Sequence, residues 1–350
     1  MKLEKLSISS GDKLTLIGNI TTMLTAGIPL LEVIQTLTEE SRGNLKNLLD
    51  HIKETLVEGG TLSLAFSHFP KIFSRININI LKSSEQSGNL EATLRDLQQG
   101  IRRDMEFTDK IKAALLYPVI LLVVFFGMFL VILLFVIPRI ATIFSNLRVV
   151  LPLPTKIMIA MSHALTSYTL PIVIAIAVLI FLTIYLYREK KRSFLIFFSK
   201  LPVISKLIRE IDLTRFTRSF ALLLASNVPI SVALDLCRDV VINQRINQAI
   251  NNSKDIITSG GKLSEGLKNS HKEIPSVMVK IIESGEKTGT LDKSMQDISE
   301  YLDYNVVNDL KTVTTLLEPI ILVLVGIFLG AMMLAIIAPI YNLIGQINAH

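Results

Sequence analysis

Apolar residues recur along most of this chain at spacings of three and four. Leu14, Ile17, Ile20, Thr21 and Leu24 step along one helical face, and Leu213, Phe216, Phe220, Leu223 and Leu224 repeat the step in the second half. Polar–apolar alternation of period two is nearly absent, so the pattern predicts an all-α protein. Three runs break the amphipathic rhythm: Tyr117 to Ile137, roughly Tyr168 to Tyr187, and Leu316 to Ile340. The first and third hold about 20 residues without charge, Glu318 standing at the mouth of the third, which is the length a helix needs to cross a bilayer core. The second is shorter and contains Pro171, but its flanks fit a span. The expectation is a polytopic membrane protein with three transmembrane helices.

The pattern also repeats itself. Shifted by 201 residues, Glu85, Gly88 and Leu90 fall on Glu286, Gly289 and Leu291, Gly59-Gly60 on Gly260-Gly261, and Leu62-Ser63 on Leu263-Ser264. Pro118 falls on Pro319 and Pro138 on Pro339, while Gly27-Ile28-Pro29-Leu30 matches Asn227-Val228-Pro229-Ile230 one residue out of register. A constant offset through turns, helices and apolar runs marks a tandem duplication, each copy a helical domain followed by a span. Two copies of one orientation need a returning span between them, which the middle run supplies. The predicted order is a helical bundle over 1–115, a span over 116–138, a loop over 139–167 and a span over 168–187. A second bundle over 188–315, a span over 316–340 and a tail over 341–350 complete it.

Composition and charge sharpen this. Half of the 350 residues are hydrophobic and the mean hydropathy is +0.51, too apolar for an ordinary soluble domain. The first 30 residues show no basic-then-apolar leader, so the chain is expected to keep its start. Cys237 is the single cysteine, which excludes an intramolecular disulfide. The net charge of +6 invites a nucleic-acid reading, but residues 1–117 carry 14 basic and 14 acidic side chains. Between Arg188 and Glu210 seven basic residues face two acidic ones, just after a predicted span. Such a stretch is what the positive-inside rule and anionic headgroups select, so membrane lipid rather than nucleic acid is the expected partner. Lys110 and Lys112 precede the first span, no Lys or Arg follows Pro339, and the intervening loop holds only Arg139, Arg148 and Lys156. Both bundles and the N-terminus are therefore placed in the cytoplasm, the C-terminus outside it.

Two corners recur. Gly27 and Asn227 suit the left-handed residue that ends a helix, and Pro29 and Pro229 the first turn of the next. In Glu-x-x-Gly-(Asn/Thr)-Leu-(Glu/Asp), residues 85–91 and 286–292, Gly88 and Gly289 would stop one helix. Asn89 and Thr290 would cap the next, with Glu91 and Asp292 in its first turn. Those helices are expected to run on into the first and third spans. Pro118 and Pro319 would kink them at membrane entry, and Pro138 and Pro339 fall at exit. Glu85 and Glu286 could satisfy a helix end, meet a partner or hold a metal; the sequence leaves all three open.

Catalytic chemistry is not in evidence. Ser284-Gly285-Glu286-Lys287-Thr288-Gly289 has a Lys-Thr pair, but Glu286 stands where a phosphate loop needs glycine. Gly261-Lys262 is followed by Leu263, which offers no hydroxyl to Mg²⁺. His51, His68, His163, His271 and His350 show no ligand spacing with one another or with Cys237. No charge lies mid-span, so an ion or proton path lacks its usual handle. No cofactor or metal is expected. A small-solute transporter or channel, or a membrane-tethered signalling or lipid-binding module, remain as alternatives.

Taken in order, these motifs resemble a known family. Ala26-Gly27-Ile28-Pro29-Leu30, the Gly-Gly-x-Leu-Ser turn, Glu-x-x-Gly-x-Leu and Lys110-Ile111-Lys112-Ala113-Ala114-Leu115-Leu116-Tyr117-Pro118 look like the type II secretion system protein F family, from about Leu14 to Ile344. The resemblance implies a non-enzymatic inner-membrane platform protein of type II secretion, type IV pili or competence pseudopili, with cytoplasmic bundles of about six helices each. It implies a hexameric assembly ATPase, pilin or pseudopilin subunits and other inner-membrane assembly proteins as partners. With three spans per chain, a homo-oligomer, a dimer, is expected. The arm of about a dozen residues before the first module leans toward a compact pilus or competence system. Asn227 in place of Gly27 and Glu318 in place of Tyr117 make the two copies unequal.

Overall fold

The computed structural model describes residues 6–146, 153–167, 202–270 and 272–347. Among them there is no strand. The middle run, 168–187, and the basic stretch from Arg188 to Lys200 lie outside the described residues. The chain divides into two compact units, one of Met1–Lys110 with Phe198–Val307, the other of Ile111–Phe197 with Asn308–His350.

In the first unit, the first copy forms α1 (Ser10–Thr25), α2 (Leu30–Glu40), α3 (Gly43–Val57), α4 (Leu62–Ser67), α5 (Arg75–Ser87) and the opening of α6 (Leu90–Val131). Ser9 begins α1 with a capping box: its hydroxyl accepts from Asp12 N–H and its own N–H donates to Asp12. The apolar faces converge on a core that includes Ile17, Ile20, Ile34, Leu48, Ile52, Phe66 and Phe73, all removed from solvent. The Phe66 and Phe73 rings stack at 3.7 Å between centroids.

Between the proline-bearing segments follow α7 (Ile137–Asn146) and α8 (Leu153–Ser167), both in the second unit. The second copy gives α9 (Pro202–Ala225), α10 (Ile230–Cys237), α11 (Gln244–Thr258), α12 (Leu263–Lys268), α13 (Ser276–Thr288) and α14 (Leu291–Ile347). Its core gathers Leu213, Phe216, Phe220, Leu234, Ile250, Leu267, Ile282 and Ile298. Ile76 and Ile80 of α5 belong to this second core, whereas Leu81 belongs to the first. Helix α5 is thus the seam between the copies. Ser83 Oγ donates to Ser226 O at 3.0 Å, and Arg75 pairs with Asp239 at 2.9 Å across it. Helix α9 is buried on more than its apolar stripe: Asp212, Thr214, Thr217 and Arg218 are also buried. A helix enclosed on several faces has little amphipathic contrast.

Among the described residues, two stretches are long and apolar enough to cross a membrane, Leu90–Ile143 and Leu291–Leu334, and their apolar parts belong to the second unit. Only 17% and 6% of their most apolar windows is buried, so they are not core helices of a soluble protein. Val123, Phe126, Leu322 and Ile327 stand exposed, as side chains do that face hydrocarbon. Phe129 meets Phe328 at 4.8 Å.

Two segments differ from the sequence expectation. The stretch 139–167, read as a loop, holds most of α7 and all of α8. Its basic residues and prolines disguise the apolar face that puts Met158, Ile159 and Leu165 against Ile132, Leu133 and Ile137. The prolines read as exits also lie inside helices: Pro138 in α7 and Pro339 in α14, which continues to Ile347. Pro138 is accommodated by a π-helical turn at Ile132–Val136 immediately before it.

Candidate functional site

Both repeat corners form as the residues dictate. Gly27 takes φ +82°, and Asn227 takes φ +57°, the one non-glycine residue with positive φ among those described. Ile28 N–H reaches Met23 O at 3.1 Å and Gly27 N–H reaches Leu24 O at 2.8 Å. Val228 to Leu223 and Asn227 to Leu224 repeat this at 3.0 Å each. These are Schellman closures in which different residues meet one backbone requirement. Pro29 and Pro229 are N-caps rather than first-turn residues, their carbonyls accepting from Val33 and Ala233. Gly88 and Gly289 end α5 and α13 at φ +70° and +73°.

The carboxylates just before those glycines are the centre of the arrangement. Glu85 accepts from Ser63 N–H at 3.1 Å through Oε1 and from Ser63 Oγ through Oε2. Glu286 accepts from Leu263 N–H at 2.5 Å, Ser264 N–H at 3.3 Å and Ser264 Oγ at 2.5 Å. Each glutamate therefore caps, from α5 or α13, the orphan N–H groups that open α4 or α12. The Gly-Gly turn delivers those groups: Gly59 and Gly260 are left-handed, and a Cβ at Gly60 or Gly261 would stand 2.8 or 2.6 Å from the preceding helix. The Gly-Gly-x-Leu-Ser and Glu-x-x-Gly motifs are thus one hydrogen-bonded lock, made twice. Ser63 and Ser264 are the residues sequence reading passed over. The signal was there, because each serine keeps the same separation from its glutamate in both copies.

A second feature had no sequence signal. Arg218, nearly buried, donates to both oxygens of Asp303 on α14 at 2.5 and 2.6 Å and to Asp104 on α6 at 3.4 Å, and covers the Phe107 ring at 5.1 Å. Gly18 holds the corresponding place in the first copy, so the repeat hides this arginine. Lys13 of α1 lies near Asp104, but burial outweighs that attraction and lowers its pKa to about 8. Burial likewise raises the Asp303 carboxyl despite the guanidinium beside it. Lys13, Asp104, Arg218 and Asp303 join α1, α6, α9 and α14 in one chain of charge.

Other sequence candidates resolve locally. Ser284 to Thr288 is the last turn of α13, with its amides committed to the helix. Cys237 is buried in the second core, which holds its thiol far above the ordinary range. Pro118 and Pro319 lie within α6 and α14. Of the histidines, His51 and His68 come together, their Nε2 and Nδ1 atoms 3.2 Å apart. A cleft of about 370 Å³ opens among α6, α9 and α14, with Gly100, Ala221 and Ala225 on its floor and Asp96, Arg103, Lys293 and Asp297 among its walls.

Comparison with known proteins follows the duplication. The family described as "Type II secretion system (T2SS), protein F" matches residues 16–138 and again 216–339. A "Type IV pilus assembly protein PilC" of Thermus thermophilus is 30% identical over 337 residues, covering 95% of this chain and 82% of the relative. The protein of that name from Myxococcus xanthus is 28% identical over 97% of this chain and 82% of its own length. A "Type II secretion system protein F" of Pseudomonas aeruginosa is 26% identical over 96% and 84%.

Proposed function

The chain belongs to the type II secretion system protein F family, and from that premise we propose that it is a non-enzymatic inner-membrane platform for assembling type IV pilus-like filaments. A hexameric cytoplasmic ATPase acts on the two duplicated bundles, and pilin or pseudopilin subunits are inserted or extracted at the membrane segments. Both bundles and the N-terminus lie in the cytoplasm, and the C-terminus lies outside it.

The observation that carries this reading is the pair α6 and α14. Each starts just after the left-handed glycine of a repeat corner, contributes to a bundle core through Leu94 and Leu97 or Met295, Ile298 and Leu302, and continues into membrane-length apolar sequence. A continuous helix of that length conveys displacement without a slack linker, its backbone bonded along the axis except where prolines such as Pro118 and Pro319 lack an N–H. The glutamate locks tie the helix just before each, α5 or α13, to α4 or α12 of its bundle. The experiment is deletion of this protein in its own cell: filaments are expected to vanish while pilin synthesis is unchanged. Filaments that persist without it contradict the reading.

A further inference from the structure

We propose that His51 and His68 form a binding site for a divalent transition-metal ion of the zinc class, on the outer face of the first bundle. The two residues are 17 apart in sequence and are brought together by the Gly-Gly turn between α3 and α4. His51 lies within α3, and His68 is the C-cap of α4, with αR backbone. Both positions are held by buried neighbours rather than by mobile loop. The Phe69 ring, itself fully buried, meets the His51 ring edge-on at 5.4 Å between centroids.

The geometry suits a shared cation. His51 Nε2 and His68 Nδ1 are 3.2 Å apart, and the rings are inclined by 67° rather than stacked. An ion bonded to both nitrogens at about 2.05 Å would subtend an angle of about 103°, close to the tetrahedral value. Glu54 Oε2 sits 3.5 Å from His51 Nδ1, the far side of that ring. A carboxylate on that side favours the tautomer with the proton on Nδ1, in which the Nε2 lone pair is free for an ion, the arrangement of carboxylate–histidine–metal relays. Among the described residues no group of three or more His, Cys, Asp and Glu gathers to hold a metal, so a bound ion would take water in its remaining positions. His68 is exposed and His51 partly so, which leaves room for it. Imidazole pairs with open positions select Zn²⁺, Ni²⁺, Co²⁺ or Cu²⁺ over Mg²⁺ and Ca²⁺.

The duplication supplies the control. Asn252 and Asn269 occupy the corresponding positions of the second copy, and Asn269 is likewise the C-cap of its short helix. Asparagine therefore fits both backbone positions but cannot supply the imidazole nitrogens.

The test uses the full chain in detergent, without a histidine tag, titrated with Zn²⁺ against a chromophoric chelator. The expected result is a binding step in the parent that weakens roughly tenfold or more in His51→Asn and in His68→Asn, and less in Glu54→Gln. Mg²⁺ should not compete. In parallel, mass spectrometry of the parent treated with diethyl pyrocarbonate should show Zn²⁺ protecting His51 and His68 and leaving His163 reactive, a readout that needs no variant to fold. Unchanged affinity in the folded double variant overturns the proposal. So does the absence of selective protection, which would leave only a histidine–histidine hydrogen bond.

Discussion

Thr314 Oγ1 lies 3.3 Å from Ala114 O, the carbonyl that Pro118, four residues on and lacking an N–H, leaves without its helical donor. The same hydroxyl is 2.8 Å from Leu310 O of its own helix, so one proton serves both acceptors. At Pro138 the answer is similar: buried Ser162 of α8 donates to Leu133 O, freed by the π-turn, at 2.7 Å. Where water is scarce an unpaired carbonyl is expensive, and a hydroxyl from a neighbouring helix is the available remedy.

Thr314→Val keeps the shape and removes the donor. It should destabilise the detergent-solubilised protein by about 0.5–1.5 kcal/mol. In a Pro118→Ala background, where residue 118 regains its own N–H, the same change should cost measurably less. A denaturation cycle over the four proteins reads this coupling, and equal costs in both backgrounds would refute the pairing.

Removing either capping carboxylate strands the opening amides of a short helix. Glu85→Ala and Glu286→Ala should each lower stability by about 1–3 kcal/mol. Ser63→Ala and Ser264→Ala should each cost less, because one or both backbone N–H bonds to the glutamate survive. Hydrogen exchange should show the loss first at α4 in the one case and at α12 in the other.

The corner that differs between copies offers a gain. Asn227 accepts a left-handed conformation that glycine adopts without strain, so Asn227→Gly should raise stability by a few tenths to about 1 kcal/mol. Gly27→Ala, at φ +82°, should lower it by about 1 kcal/mol. Thermal unfolding of the two variants beside the parent decides both.

Lys13 gives a pH dependence. Its folded pKa of about 8 lies below the ordinary 10.5. Between these values the unfolded chain holds the proton and the folded chain does not, so stability rises with pH through that window. Below it, the folded state bears the penalty of a partly desolvated ammonium. Lys13→Met should therefore stabilise at pH 7, by about 1–3 kcal/mol, and lose that advantage as pH climbs from 8 to 10.5. An advantage that holds constant with pH would show that the ammonium is well solvated.

Much of this was legible because duplication repeats whatever the backbone demands. Gly27 and Asn227, Gly88 and Gly289, and the Gly-Gly turns each announce a conformation that few residues tolerate, twice, at a fixed offset. The pairing of Ser63 with Glu85 was present only as a shared separation, since nothing local says that two helices bring them together. Arg218 was invisible for the opposite reason: it stands where the first copy has Gly18, and its partners Asp104 and Asp303 come from two other helices. Helices α7 and α8 were missed because Pro138, Pro152 and Pro154 with scattered basic residues look like a loop, while the apolar stripe that packs them is short.

In the proposed function the duplicated bundles receive a motor. The most direct measurement is binding of the purified, detergent-solubilised chain to the hexameric assembly ATPase of its own cell, with ATP analogue and with ADP. Saturable binding whose strength depends on the nucleotide is expected. Absence of binding in both nucleotide states, by protein whose helical content is intact, would contradict it.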